Sequence, residues 1–134
     1  MSLDRFHAAQ AGSHARALEE LRAGRKTSHW MWYIFPQIAG LGQSDMARRY
    51  AIADLAEARA YLADPVLGAR LHACLAALAS LPVADAEAVF GGIDAIKLRS
   101  SLTLFEAAGG GAEFTAALER WFGGARDQAT LDRI

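Results

Sequence analysis

The sequence has little cysteine and little proline: Cys74 is alone, and there are three prolines among 134 residues. A single cysteine excludes an internal disulfide and a zinc site built from several thiolates, and it fits a reducing compartment. No apolar run reaches the roughly 18 residues that span a bilayer. The N-terminus carries Asp4 and lacks the apolar core of a signal peptide. These absences predict a cytoplasmic protein with no membrane partner.

The chain also has no excess of charge of either sign, because its 14 basic and 15 acidic residues nearly cancel. The overall charge therefore gives no reason to expect nucleic acid as a partner. The four histidines have no paired spacing on one helix, so no metal site is predicted. Residues 24–27 lack the upstream glycine and preceding strand of a P-loop, and residues 40–42 lack the third glycine of a dinucleotide fingerprint. We therefore expect no cofactor.

What the chain does contain is alanine-rich and leucine-rich helical periodicity. Hydrophobic residues make up 53% of the sequence, enough for the core of one domain over residues 1–134. No segment alternates with a period of two, as a half-buried strand would. Asp64-Pro65 is typical of a helix start, and paired glycines end several helices. The pattern predicts an all-α, compact single-domain bundle of seven to nine helices.

One stretch, residues 24–44, departs from this pattern. Its segment Trp30–Phe35 holds two tryptophans, a tyrosine and a phenylalanine in six positions. A helix that is apolar on every face is normally buried. We therefore expect a central aromatic helix here, capped by Ser28 and ended by Pro36. The loop that follows contains Gly40 and Gly42, which are free to adopt positive φ.

Polar residues surround this aromatic segment. Lys26, Ser28 and His29 lie at its start, where a helix N-terminus attracts anions. Trp32 could stack on a flat ligand, and Gln37 in the glycine-rich loop could hydrogen-bond to one. His29 is a candidate general acid or base. The alternative is that these residues only cap, neutralise and pack.

A second polar cluster interrupts the apolar segment 94–105. Asp94, Lys97 and Ser101 have the spacing of one helix face, Ser100 lies nearby, and Arg99 offers a bidentate fork for an anion. The alternative is an exposed ion pair with small residues that permit close packing. A Ser-His-Asp triad is not predicted, because no strand-turn-helix elbow presents a serine.

Three motifs in order resemble a known bacterial family, called domain of unknown function 1810, whose members are sometimes mislabelled calpastatin. They are Lys26-x-Ser28-His29-Trp30-Met31-Trp32-Tyr33-Ile34-Phe35-Pro36-Gln37 with Gly40-Leu41-Gly42-x-Ser44, then Tyr61-Leu62-x-x-Pro65-Val66-Leu67-Gly68-x-Arg70-Leu71, then Phe90-Gly91-x-Ile93-Asp94-x-x-Lys97-Leu98-x-Ser100-Ser101-x-Thr103-Leu104-Phe105. Asp64 and Leu102 depart from the expected histidine and methionine. The resemblance implies a mainly α-helical domain and no particular activity.

Two functions remain open from the sequence. In the first, the 26–37 and 94–103 motifs form one pocket for an anionic, nucleotide-like small molecule, which the protein binds or also processes. In the second, the protein is a non-catalytic structural or interaction domain whose motifs encode packing alone. The first requires that the two polar clusters meet in space around a shared hollow.

Overall fold

The computed structural model describes residues 2–134, which form ten α-helices joined by short loops. The helices are α1 Asp4–Ala11, α2 His14–Ala23, α3 Met31–Ile34, α4 Asp45–Arg49, α5 Leu55–Ala63, α6 Pro65–Ala79, α7 Ala86–Phe90, α8 Gly92–Ala107, α9 Ala112–Phe122 and α10 Gln128–Leu131. No strand occurs within residues 2–134, so the all-α prediction is confirmed. The count exceeds the predicted range by one because four helices are single turns of four or five residues.

The aromatic segment is buried as predicted, but its helix is shorter than expected. Only Met31–Ile34 is helical, and its N-cap position is held by Trp30 rather than Ser28. Trp30 is 1% exposed and Phe35 is fully buried. The helix ends at Phe35 because a residue before proline avoids helical dihedral angles. Ahead of the helix, the backbone amides of Thr27 and Ser28 are bound by a carboxylate from α2.

The longest helix, α8, runs through the core and is buried on most of its sides. Leu98, Leu104 and Phe105 are inaccessible to solvent, and α8 packs against α5, α7, α9 and α10. The ring of Tyr61 on α5 lies 5.2 Å from that of Phe105, and Phe6 on α1 lies 5.2 Å from Tyr61. Full burial of each such side chain contributes about 1.5–3 kcal/mol. This chain of aromatic contacts joins α1 to α8 through α5.

A sharp corner between α5 and α6 is built around Asp64. One oxygen of its carboxylate accepts hydrogen bonds from the amides of Val66 and Leu67, both at 3.0 Å. The other oxygen pairs with His7 at 2.8 Å. The hydrogen bond from Leu67 is the main reason that the pKa of Asp64 is lowered. The aspartate that departs from the expected family residue thus caps α6 and ties α1 to the corner.

The loop after α3 returns to the core through a short parallel pairing. The amide of Ala39 donates to the carbonyl of Ile52, and the amide of Ile52 donates to the carbonyl of Gln37, both at 2.8 Å. Gly40 has φ +98°, as predicted, whereas Gly42 does not have positive φ. Gly42 is constrained by space instead, because an added Cβ would lie 2.4 Å from the Cβ of Ala47. The pairing holds the loop beside α8.

Among the described residues, no single helix has both the length and the apolarity needed to cross a membrane. The pair α5 and α6 meets those criteria only when taken together, and it is bent by 89°.

Candidate ligand-binding site

The two predicted polar clusters meet at Asp94. The chain has only two lysines, Lys26 and Lys97, and both lie beside this carboxylate. Nζ of Lys26 is 2.9 Å from Oδ2 of Asp94, and Nζ of Lys97 is 3.5 Å from Oδ1. The fold therefore brings both lysines, from distant parts of the sequence, to one carboxylate at the start of α8.

Each of these lysines also lies over a tryptophan ring of the aromatic segment. Nζ of Lys26 is 4.9 Å from the ring centroid of Trp30, and Nζ of Lys97 is 5.2 Å from that of Trp32. Trp30 is buried, whereas Trp32 is half-buried. Such cation–π contacts contribute about 0.5–1 kcal/mol at exposed sites and more when desolvated. The Trp-Met-Trp spacing thus supplies one aromatic ring for each ammonium group.

The two ammonium groups differ in how many of their hydrogen-bond donors are already used. The side chain of Lys26 is 8% exposed, and its Nζ donates to the carbonyl of Ser28 at 2.6 Å. The side chain of Lys97 is 23% exposed and, within residues 2–134, makes the longer ion pair to Asp94 but no hydrogen bond. An ammonium group has three donors. Lys97 therefore keeps donors available for a ligand, while Lys26 holds its loop against α8.

Lys97 lines a hollow of about 280 Å³ between the loop after α3 and the exposed face of α8. Three further polar side chains reach its wall, those of Gln37, Ser100 and Asp127. Gln37 comes from the first predicted cluster, and Lys97 and Ser100 come from the second. The hollow is therefore shared by the two motifs.

The rest of the wall is apolar. Ile93 and Ile96, on successive turns of α8, are 75% and 58% exposed, and half-buried Leu41 faces the same hollow. Large apolar side chains that stay exposed beside a concave surface mark a site of interaction. The lining of the hollow thus combines one ammonium group with an apolar wall.

Three cations and two carboxylates surround this region. Lys26 and Lys97 share Asp94, and Nη2 of Arg99 lies 3.8 Å from Oδ1 of Asp127. In this group of five side chains, one positive charge has no counter-ion of its own. In the lining of the hollow itself, Lys97 is positive and Asp127 is negative, so an anion is favoured only at the lysine end.

Ser28, predicted as a ligand-binding residue, is bonded to Glu20 on α2. The carboxylate of Glu20 accepts hydrogen bonds from the Thr27 amide (2.7 Å), the Ser28 amide (2.9 Å), the Ser28 hydroxyl (2.6 Å) and Nε1 of Trp30 (3.1 Å). Burial by itself raises the pKa of Glu20, but these hydrogen bonds, led by that of the Ser28 hydroxyl, outweigh it and lower the pKa to about 2. In this structure Ser28 serves the local fold.

Six other predicted residues do not line the hollow. Lys26, Trp32 and Asp94 belong to the cluster of lysine contacts beside it, and the other three lie elsewhere. His29 is exposed, and its side chain makes no hydrogen bond within the described residues. Ser101 is fully buried, and its hydroxyl has no partner there. Arg99 lines a separate groove beside Trp121. Successive residues of a helix point about 100° apart, which explains why Ser100 reaches the hollow while Ser101 lies in the core.

Asp127 belongs to the wall of the hollow, although its sequence context predicts only a helix cap. It does cap α10, since the amide of Thr130 donates to its Oδ2 at 3.0 Å. The same oxygen accepts the hydroxyls of Thr130 at 2.6 Å and of Ser100 at 3.0 Å. Asp127 lies 27 residues from Ser100 in sequence, so no local spacing connects the two.

A larger groove of about 640 Å³ lies elsewhere, between α6 and α9. Alanines make up most of its wall. Its charged side chains are already engaged, because His72 pairs with Glu113, and Arg120 donates to the carbonyls of Leu78 and Leu81. We therefore place the candidate site at the smaller hollow, where polar groups remain free.

Cys74 is not a candidate nucleophile. Its burial raises the pKa of the thiol to about 12, so the reactive thiolate is scarce near neutral pH. Its sulfur lies 3.9 Å from Nε2 of His14, whose pKa is itself lowered by burial. Within residues 2–134, no three histidine, cysteine or acidic side chains are grouped so as to hold a metal ion.

The fold and site define an all-α protein in which two lysines, two tryptophans and an aspartate converge beside a small hollow. The chain belongs to the family described as "Protein of unknown function (DUF1810)", which matches residues 1–134, and the predicted family is thereby confirmed. The crystal structure of the conserved hypothetical protein Rv1873 from Mycobacterium tuberculosis, at 1.38 Å, is similar to this chain. The two share 46% sequence identity and a TM-score of 0.94 over 97% of this chain and 94% of that one. No curated protein matches the chain.

Proposed function

We propose that this protein binds a small anionic, nucleotide-like molecule in the hollow lined by Lys97. The observation that carries the proposal is the meeting of both lysines at Asp94, which leaves one ammonium group beside an open hollow without a counter-ion of its own. Phosphates and carboxylates form charge-assisted hydrogen bonds with such a group. Lys97 is thus the proposed anion-binding residue.

The shape and the remaining wall of the hollow support a ligand with an apolar, flat part. Leu41, Ile93 and Ile96 offer an apolar surface, and the amide of Gln37 offers both a donor and an acceptor. A volume of about 280 Å³ is near the lower end of the roughly 300–1,000 Å³ of small-molecule pockets. This size fits one nucleotide unit better than a dinucleotide.

The proposal is one of binding and assigns no reaction. His29 is exposed outside the hollow, so its role as a general acid or base stays a prediction. We place the binding in the cytoplasm, in keeping with a single, buried and protonated Cys74.

The test is a titration of the purified protein with nucleoside monophosphates, inorganic phosphate and small carboxylates, followed by calorimetry and thermal shift. We expect Lys97→Gln to weaken binding at least about tenfold, because a charge-assisted hydrogen bond contributes roughly 1.5–3 kcal/mol. Arg59→Gln is the matched control, since it removes one positive charge from an exposed position on α5. Lys26 is unsuitable, because its ion pair with Asp94 and its hydrogen bond to the carbonyl of Ser28 hold the loop in place, so its loss would also affect the fold.

The proposal is wrong if no compound binds the wild-type protein, or if Lys97→Gln and Arg59→Gln change the affinity equally. Circular dichroism of both variants checks that the fold is intact.

A non-catalytic structural or interaction domain is the second candidate, and the Glu20 network favours it. Glu20 accepts hydrogen bonds from Thr27, Ser28 and Trp30, so part of the first motif is explained by folding alone. If folding explains the whole motif, the titration above gives no binding.

A further inference from the structure

A second, smaller hollow of about 140 Å³ adjoins the candidate site. Gln37 and Gly42 line both hollows, so the two meet at the loop after α3. The smaller volume is well below the roughly 300–1,000 Å³ of small-molecule pockets. It therefore has room for one small group of a ligand and not for a second ring system.

Arg48, on α4, gives the smaller hollow its charge. Among the described residues that line this hollow, Arg48 is the only charged one. Its Nη2 lies 3.4 Å from Oε1 of Gln43, the residue after Gly42, which places the guanidinium beside the loop, and the side chain makes no ion pair within residues 2–134. The larger hollow has Asp127 opposite Lys97 in its lining, whereas no carboxylate is found in that of the smaller one. An anionic group is therefore favoured beside Arg48.

The loop between the two cations adds donors of its own. The backbone amides of Gly40, Leu41 and Gly42 donate no hydrogen bond within residues 2–134, and each of these residues lines at least one of the hollows. Phosphate oxygens accept charge-assisted hydrogen bonds from backbone amides as well as from lysine and arginine. The loop thus offers donors to a chain of phosphates that passes from Lys97 to Arg48.

We infer that the ligand carries at least two phosphate groups, one on Lys97 and the next beside Arg48, so that the protein takes a nucleoside diphosphate in preference to a monophosphate. This inference rests on the proposed function and adds the substrate class to it. The planar fork of Arg48 matches the oxygens of a phosphate group. The nucleoside remains in the larger hollow, against the apolar side chains of Ile93 and Ile96.

The test compares adenosine and uridine 5′-monophosphates with the corresponding 5′-diphosphates by calorimetry, with EDTA present so that no metal ion bridges phosphate and protein. We expect the wild-type protein to bind each diphosphate at least about tenfold more tightly, because the second phosphate adds charge-assisted hydrogen bonds. Arg48→Gln should remove this preference and leave the affinity for the monophosphates unchanged. Lys97→Gln should weaken the binding of all four compounds.

Arg49→Gln is the matched control, because it removes the same charge from the next residue of α4. The guanidinium of Arg49 lies 5.5 Å from the ring centroid of Tyr50, and Arg49 lines neither hollow, so the preference for diphosphates should stay.

Comparison of the ligands on the wild-type protein needs no variant, so a folding defect in Arg48→Gln does not remove the test. Equal affinity of the wild type for mono- and diphosphates overturns the inference but leaves the proposed function standing. A preference that persists in Arg48→Gln, or that Arg49→Gln reduces equally, does the same. Absence of any Lys97-dependent binding overturns both.

Discussion

At the scale of single residues, Glu20 determines the path of the loop that follows α2. Its carboxylate binds two consecutive backbone amides, a hydroxyl and an indole, and so fixes the loop ahead of the aromatic helix. A sequence pattern does not reveal this contact, because Glu20 resembles its exposed neighbour Glu19 in every local respect. The predicted helix start at Ser28 was wrong, because Trp30 holds the N-cap position.

Glu20→Gln should lower the free energy of unfolding by about 1–3 kcal/mol at pH 7, because an amide cannot accept all of these hydrogen bonds. In the folded protein the pKa of Glu20 is about 2, below the ordinary value of 4.5. Its stabilising contribution is therefore complete above pH 4.5 and is lost as the pH falls towards 2. Urea denaturation at several pH values measures this.

Glu19→Gln, on the exposed side of α2, provides the comparison and should change stability little. If both variants lose the same stability at pH 7, or if the difference between them persists unchanged at pH 2, the role given to Glu20 is wrong.

At the scale of helices, the sequence predicted elements whose signals are local. The start of α6 followed from Asp64-Pro65, and its stripe of leucines is buried. The close approach of α6 to the preceding helix was not visible in sequence, since Gly68 sits within an ordinary helical pattern. The structure shows that a Cβ there would lie 2.3 Å from the carbonyl oxygen of Leu62.

Gly68→Ala should therefore destabilise the protein by about 1–3 kcal/mol, the usual cost of forcing an extra carbon into a packed interior. The clash is with backbone, so rotation of a side chain cannot relieve it. Thermal and urea denaturation measure the loss.

Gly12→Ala is the matched substitution. An added Cβ there meets nothing within 4 Å and φ is −100°, so stability should stay the same or rise slightly. A loss in Gly12→Ala as large as in Gly68→Ala would refute the steric explanation.

At the scale of the whole molecule, the candidate site is a product of tertiary structure. Lys26, Gln37, Lys97 and Ser100 stood out in the sequence because polar groups interrupted apolar segments, and the fold brings these segments together. The sequence does not show which of Ser100 and Ser101 lines the hollow, since the answer depends on how α8 is rotated against its neighbours. It could not connect Asp127 to the site either, because that contact joins distant parts of the chain.

The three tryptophans give a direct test of binding beside Lys97, because each indole reports a different place. Trp30 donates to Glu20, Trp32 lies under Lys97, and Trp121 lines the groove between α6 and α9. The measurement is a ¹H–¹⁵N spectrum of the three indole groups during titration with a ribonucleoside monophosphate. We predict that the Trp32 resonance shifts and saturates while that of Trp121 stays in place, and that Lys97→Gln abolishes the shift. A Trp32 resonance that does not move, or a shift confined to Trp121, would contradict ligand binding at this hollow.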